Sequence, residues 1–435
     1  MAARTIFDRR PRFKLGRVCT PFARRLVPLR RKQATESTLS DKPIIVPHRS
    51  ILIGEQLNPD TGEVISDAYL PLPSISGMNE AINVYGSSGC GKSVLIRRLV
   101  EYFSIEEHRC VIIIDPTKNQ YWSFNQPLDV TEAEAEKRKD MLTSLRRFNI
   151  EPTTIDDLDV YVPIYDEPKL TYPILQRDFH ATKLLSIRTS GMTPASFFEL
   201  GDKEPAGRDF QRYLELILTR PKSEKTIEYI KSRLEELGNQ KSTSRSADSL
   251  KNIFEPLCDM GIIRDDGTDV AEMLHAPRKK QAGKISVISL GTTPTDRRRD
   301  ALLSTVLQQL FEYVRDDNNL RPVFVIDETK QFAPAEKSEH KATRDALVNF
   351  NVLTRAWGVT RIHGFQYPNQ IAEGLLGENV PINIAMTKAL PLSDGVTKIN
   401  GTGLGRVYVN GMGDPSIPDC TFYARFMSCR TRHVD

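Results

Sequence analysis

The chain has 435 residues, of which 39% are hydrophobic, 8% aromatic and 27% charged, and its 60 Lys/Arg against 56 Asp/Glu give a formal charge of +4. This is the composition of an ordinary globular protein; it excludes wholesale disorder and collagen-like repeats and allows two or three domains, or one large domain with insertions. The longest apolar run, around Val111–Ile114, is strand-length and far short of the ~18 residues of a spanning helix, so a membrane enzyme is excluded.

Residues 1–42 read as a basic, flexible arm. Residues 1–32 hold eleven Lys/Arg against the single acid Asp8, which leaves 49 basic and 55 acidic residues, a formal −6, in the remainder. Three readings of the arm stand: it neutralises nucleic-acid phosphates with release of counterions, it is a solvated tail, or it is an Arg-rich targeting segment. A secretory signal is not expected, because charges occupy the place of an apolar stretch. Residues 43–80 read as a short β and turn segment, with turn signals at Asn58-Pro59-Asp60 and Thr61-Gly62.

The first part of a core is expected over 81–192. Ala81–Tyr85 is an apolar strand, Gly86–Gly91 a loop, and Lys92–Phe103 a helix in which Val94, Leu95, Leu99, Val100 and Phe103 recur at helical spacing. Cys110–Ile114 reads as a buried strand, Thr131-x-x-Glu134 as a capping box opening a helix to about Arg147, and Val160–Ile164 as a further strand. Residues 193–280 change to a polar, helical character and read as a helical insertion, with a Ser/Thr/Lys/Arg loop at Gln240–Ser246. Over 281–427 the alternation resumes: strand Ile285–Leu290, helix Asp300–Arg315, strand Val323–Ile326, helix Lys341–Trp357, strands Thr360–Phe365 and Ile382–Met386, then a tail at 428–435. Such alternation predicts an α/β fold with a mostly parallel sheet covered by helices on both faces. The six cysteines (Cys19, Cys90, Cys110, Cys258, Cys420, Cys429) form no Cys-x-x-Cys pair and read as reduced thiols; the seven histidines show no metal-ligand spacing, so no zinc site is expected.

Gly86-Ser87-Ser88-Gly89-Cys90-Gly91-Lys92-Ser93 fits the phosphate-binding pattern Gly-x-x-x-x-Gly-Lys-[Ser/Thr] and stands between a predicted strand and a predicted helix. The loop's backbone N–H groups and the helix N-terminus would cradle phosphates, Lys92 would reach the β/γ-phosphates, and the Ser93 hydroxyl would ligate Mg²⁺. Val323-Phe324-Val325-Ile326-Asp327-Glu328 supplies the acidic partners: Asp327 for the metal, Glu328 to activate the attacking water. ATP or GTP hydrolysis follows, whereas a small-molecule kinase would need no water-activating acid. Gln366, closing the strand Thr360–Phe365, is a candidate sensor of the γ-phosphate, since strand C-termini face the ligand crevice of open α/β sheets. In the helix before it, with Leu347 at 0° and ~100° per residue, Ala346, Phe350, Leu353 and Trp357 fall on an apolar face, and Arg344, Asn351 and Arg355 on a polar one. That polar face is either solvated or reaches a neighbouring subunit.

The ordered series of motifs resembles the HerA/FtsK superfamily of ring-forming ATPases over about residues 80–425. Its carriers are the loop with Lys92 and Ser93, the strand ending Asp115-Pro116-Thr117-Lys118, the Asp327-Glu328 strand, Thr354-Arg355-Ala356-Trp357-Gly358-Val359, Gln366-Tyr367-Pro368 and Asn379-Val380-Pro381-Ile382-Asn383. The chain carries Gln120 where the second-strand motif often continues to Glu, and Asn383 where the FtsK-like stretch has Arg. The resemblance implies a P-loop NTPase fold with a helical insertion, a ring (a hexamer by that likeness), ATP and Mg²⁺ between subunits, and Arg355 as an arginine finger in the neighbour's site. Double-stranded DNA is the expected polymer, with a nuclease or a capsid or portal protein as partner and a cytoplasmic or virion-associated location; the alternative is a secretion or assembly ATPase that acts on protein.

Overall fold

In the computed structural model the described residues are Ser40 and the stretches 49–73, 80–116, 120–128, 135–163, 182–192, 214–218, 225–240, 244–259, 261–276, 278, 281–290, 296–317, 319–336, 341–376, 380–410 and 419–431. The basic arm, the capping box at 131–134 and the stretch 193–213 lie outside them.

The elements follow the predicted alternation. A hairpin of β1 (Ser50–Leu57) and β2 (Val64–Pro71) precedes β3 (Ala81–Gly86), α1 (Lys92–Glu101), β4 (Val111–Asp115), α2 (Ala135–Arg147), β5 (Leu158–Val162) and β6 (Thr182–Leu184). β7 (Ile187–Arg188), α3 (Ile227–Gly238), α4 (Ser244–Asp259) and β8 (Ile263–Arg264) come next. The core resumes with β9 (Ile285–Ser289), α5 (Asp296–Asp316), β10 (Val323–Ile326), α6 (Lys341–Leu353), β11 (Thr360–Phe365), β12 (Ile382–Pro391), β13 (Lys398–Val409) and β14 (Cys420–Phe426).

Twelve strands form one sheet in the order β2-β1-β14-β13-β12-β3-β11-β10-β4-β9-β5-β6. From β12 to β6 every neighbouring pair is parallel. From β2 to β12 every pair is antiparallel. The parallel strands are short apolar runs because both of their faces are covered. Val111 and Ile113 of β4 enter one core cluster with Leu95, Ile96 and Leu99 of α1, while Ile112 and Ile114 enter the opposite cluster with Leu303 and Leu307 of α5 and Leu347 of α6. β10 divides the same way, Val323 and Val325 to the α1 side and Phe324 and Ile326 to the other. A residue period of two assigns each side chain to one layer, and each buried aliphatic side chain contributes about 1.5–3 kcal/mol.

The structure extends the sequence reading in four places. The segment at 43–80 is no separate unit, since β1 pairs with β14 and the hairpin thereby extends the sheet. β12 runs past Met386 to Pro391, and β13 and β14 follow it; β13 was unread because Lys398–Thr402 is exposed or half-buried on both faces and lacks an alternating pattern. The segment read as a helical insertion carries the strand β8, which pairs in parallel with β7, and its Ile230, Leu234 and Phe254 share a core cluster with α5 and α6. Helix α3 is preceded by Thr226, whose side chain accepts from the Tyr229 N–H as an N-cap. Finally, the residues read as the start of a tail are fixed: the Arg430 and Thr431 N–H groups and the Thr431 hydroxyl all donate to the buried Glu101 carboxylate at the end of α1, at 2.7–2.9 Å. Among the described residues, no helix is long and apolar enough to cross a membrane.

Candidate functional site

β3, β11 and β10 lie side by side, and their carboxyl ends bring the predicted loop, Gln366 and the Asp327-Glu328 pair to one edge of the sheet. The loop turns sharply at Gly86, with φ of 153°, and a Cβ there would stand 2.2 Å from the Met386 carbonyl oxygen of β12. A side chain is excluded both by conformation and by space. Farther along the loop, the Cys90 carbonyl accepts from the Gly403 N–H of β13 at 3.0 Å, so the antiparallel half braces the loop from outside. Lys92 opens α1 and is 7% exposed; its Nζ donates to the carbonyls of Gly86 (2.8 Å) and Ser87 (3.1 Å). The ammonium therefore sits in the concavity of the loop, beside the helix N-terminus.

Ser93 Oγ donates to Asp327 Oδ2 at 3.2 Å, so strand β10 and helix α1 meet through the two predicted metal-binding groups. The Asp327 carboxylate is closely held: the Tyr121 hydroxyl donates to Oδ2 at 2.9 Å and the Glu328 N–H to Oδ1 at 2.9 Å. Burial, followed by the charges of Asp327 and Asp115, raises the Tyr121 phenol well above its ordinary value, which keeps it a donor. Two hard oxygens, a hydroxyl and a carboxylate, fit Mg²⁺, a cation that keeps few protein ligands and completes its shell with phosphate and water. Glu328 follows in the left-handed region (φ 51°, ψ 45°), a conformation costing about 1–3 kcal/mol for a non-glycine residue and one that clusters at functional sites.

Tyr121 and Gly364 were not found from the sequence. Tyr121 carries no motif signal; its hydroxyl meets Asp327 across 206 positions of sequence. Gly364 of β11 leaves the space that Asp327 fills, since a Cβ there would lie 2.5 Å from Asp327 Oδ1 and 2.8 Å from Ile96 Cδ1. Gly364→Ala is therefore expected to displace the carboxylate and slow ATP turnover about 10²-fold, the scale of an ångström-sized misplacement. Wild-type turnover in a steady-state phosphate-release assay would refute this role. Lys388 was also unread, because β12 was taken to stop at Met386; its Nζ lies 3.0 Å from the position a Gly89 Cβ would take, at the mouth of the loop.

Gln366 follows Phe365, which pairs with Tyr85 of β3 and stacks on it with ring centroids 5.4 Å apart. The next residue is thus level with Gly86, and Gln366 is half-buried there. Arg355 is placed differently. α6 ends at Leu353 and the chain tightens into a 3₁₀ turn over Thr354–Trp357, so the continuous helical wheel does not extend to Arg355. Asn351, assigned to the polar face, is 5% exposed because Arg361 and His363 of β11 bind it, while Leu353 of the predicted apolar face is 48% exposed. Arg355 lines a cavity with Ala81, the first residue of β3. The loop lies at the other end of that strand, about 17 Å away at ~3.3 Å per residue. Arg344, the weaker candidate, is half-buried on α6.

The sequence profile of the family described as "Helicase HerA, central domain" matches residues 62–310, more than half of the chain. No curated protein matches in sequence. Among solved structures, the chain is similar to VirB4 of Thermoanaerobacter pseudethanolicus, at 14% identity and a TM-score of 0.46, over 89% of this chain and 98% of that one. It is similar to the plasmid coupling protein TrwB in complex with the ATP analogue ADPNP, at 11% identity and a TM-score of 0.46, over 91% of this chain and 100% of that one. The genome packaging NTPase B204 from Sulfolobus turreted icosahedral virus 2, in complex with ATP-gammaS, matches at 8% identity and a TM-score of 0.32, over 80% of this chain and 97% of that one.

Proposed function

The chain belongs to the family of the HerA helicase central domain and is a P-loop ATPase; we propose that it works as a ring, a hexamer by resemblance, that hydrolyses ATP to move double-stranded DNA. In this reading Gly86, Ser87, Ser88, Gly89, Cys90 and Gly91 cradle the phosphates through their backbone and Lys92 grips the β/γ oxygens. Ser93 and Asp327 hold Mg²⁺, which when bound neutralises charge on the transferring phosphate. Glu328 accepts a proton from the attacking water, and Gln366 hydrogen-bonds the γ-phosphate. One observation supports the ring reading: Arg355 lines a cavity with Ala81, at the end of β3 remote from the loop, so it does not stand beside its own nucleotide site.

The charge distribution favours DNA as the polymer, through the eleven cations within residues 1–32. Duplex DNA is accordingly expected to stimulate turnover and to bind with a steep salt dependence, each neutralised phosphate adding about −0.9 to the slope of log K against log[salt]. Deleting residues 1–32 is expected to flatten that slope by several units and to leave DNA-free ATP hydrolysis unchanged. Random and unique duplex sequences are expected to bind alike, because backbone contacts carry no base code. A second reading, a secretion or assembly ATPase that moves protein, is favoured by the formal −6 of the remaining residues. Absence of DNA binding at low salt, with no effect of DNA on turnover, would select it.

A further inference from the structure

We infer that Arg361, Asn351 and Arg355 form a binding pocket for one compact oxyanion, of the carboxylate or phosphate class, at the amino-terminal end of β11. The three residues line a cavity of about 40 Å³ together with His363, Ala81 and Leu375. The volume admits a head group somewhat larger than one water. Arg361 is 3% exposed, and its Nη1 donates to the Asn351 main-chain carbonyl. Its Nε and Nη2 are buried without a partner among the described residues, as is Asn351 Nδ2. Nε and Nη2 form one edge of the guanidinium, the edge that grips two oxygens of a carboxylate or phosphate side by side.

No acid of the described residues fills that place. Glu80, whose charge reaches Arg361, is already bound by Arg49, Arg109 and the Thr360 hydroxyl. Burial and then the charge of Arg355 push the Arg361 guanidinium down to about 10, so it remains a cation at neutral pH, facing a second one. His363 adds no further charge. Burial and the charge of Arg361 push its imidazole down to about 3, and its Nε2 meets Asn351 Oδ1 at 3.1 Å. A buried cation with an unfilled donor edge, a second cation and an amide donor around one cavity make an anion site. The inference rests on these residues alone and stands whether or not Arg355 reaches a neighbour's nucleotide.

The oxyanion has two sources, inorganic phosphate from solution or an acidic side chain of a second copy of the chain. The test uses the full chain carrying Lys92→Ala, so that the P-loop does not contribute, with inorganic phosphate titrated against chloride at equal ionic strength. Tm and the sedimentation mass are both followed. A saturable, phosphate-specific rise in Tm at constant mass, lost in Arg361→Gln, identifies the free anion. Phosphate-driven dissociation, with a lower mass for Arg361→Gln, identifies the second copy's carboxylate. Asn351→Asp sets a carboxylate beside Arg361 and is expected to raise Tm and abolish the phosphate response, which keeps the test valid if Arg361→Gln fails to fold. A phosphate effect on neither Tm nor mass, or one that persists in Asn351→Asp, would overturn the site.

Discussion

Lys92→Ala is expected to abolish measurable ATP binding, while Glu328→Gln is expected to bind ATP with wild-type affinity and lose turnover by about 10²–10⁴-fold, the range for a general base. The two variants differ because the two side chains act at different stages. The Lys92 ammonium lies inside the loop, donating to the Gly86 and Ser87 carbonyls, and is positioned for ground-state phosphates. Its removal leaves a concavity of backbone dipoles without the cation that balances three or four phosphate charges. Glu328 stands one residue beyond the Asp327 that Ser93 and Tyr121 hold, in a left-handed backbone conformation that fixes its direction. Glutamine preserves its shape and removes its basicity, so only the step that needs a proton acceptor fails. Calorimetric binding and phosphate release on the same preparations check both. Equal ATP affinity of Lys92→Ala and wild type would dismiss the phosphate-loop assignment, and undiminished turnover of Glu328→Gln would dismiss the base.

Arg355→Ala is expected to bind ATP normally and to lose turnover by about 10³-fold or more, the scale of an arginine finger. In the proposed ring the effect is intermolecular. Arg355 shares a cavity with the first residue of β3, whereas the phosphate loop follows the last. Mixing Arg355→Ala with Glu328→Gln protein should therefore restore part of the activity, because some interfaces in a mixed ring pair an intact base with an intact finger. Mixed assemblies, verified by native mass spectrometry, that show no recovery at any ratio would exclude action in trans.

Much of the parallel core was legible because its strands are buried on both faces. β10 and β11 have the bounds that their apolar runs predict, and β4 differs by one residue at each end. Where one face is polar the reading weakened. β13 carries Lys398, Asn400 and two glycines in its outer half, and the turn signals before β14 at Asn410-Gly411 and Asp414-Pro415 went unread, so the antiparallel half of the sheet was not anticipated. The polar helical pattern of 193–280 was readable, but the pairing of β7 with β8 is two residues long on each side and leaves no pattern.

For the site, the sequence by itself determined the parts that are local. A loop of fixed spacing between strand and helix, a pair of acids ending a strand and a glutamine ending the next are properties of contiguous residues, and Gly86–Ser93, Asp327, Glu328 and Gln366 do meet at one sheet edge. Only the tertiary structure decided what depends on residues far apart in the chain. Tyr121 holds Asp327 across 206 positions, Gly364 is required by the carboxylate of the neighbouring strand, and Asn351 leaves the solvated face of its helix because Arg361 and His363 bind it from β11. Helical angle counts only neighbours on one helix. Burial is set by whatever the sheet brings alongside, and that placed Arg355 at the far end from its own nucleotide loop.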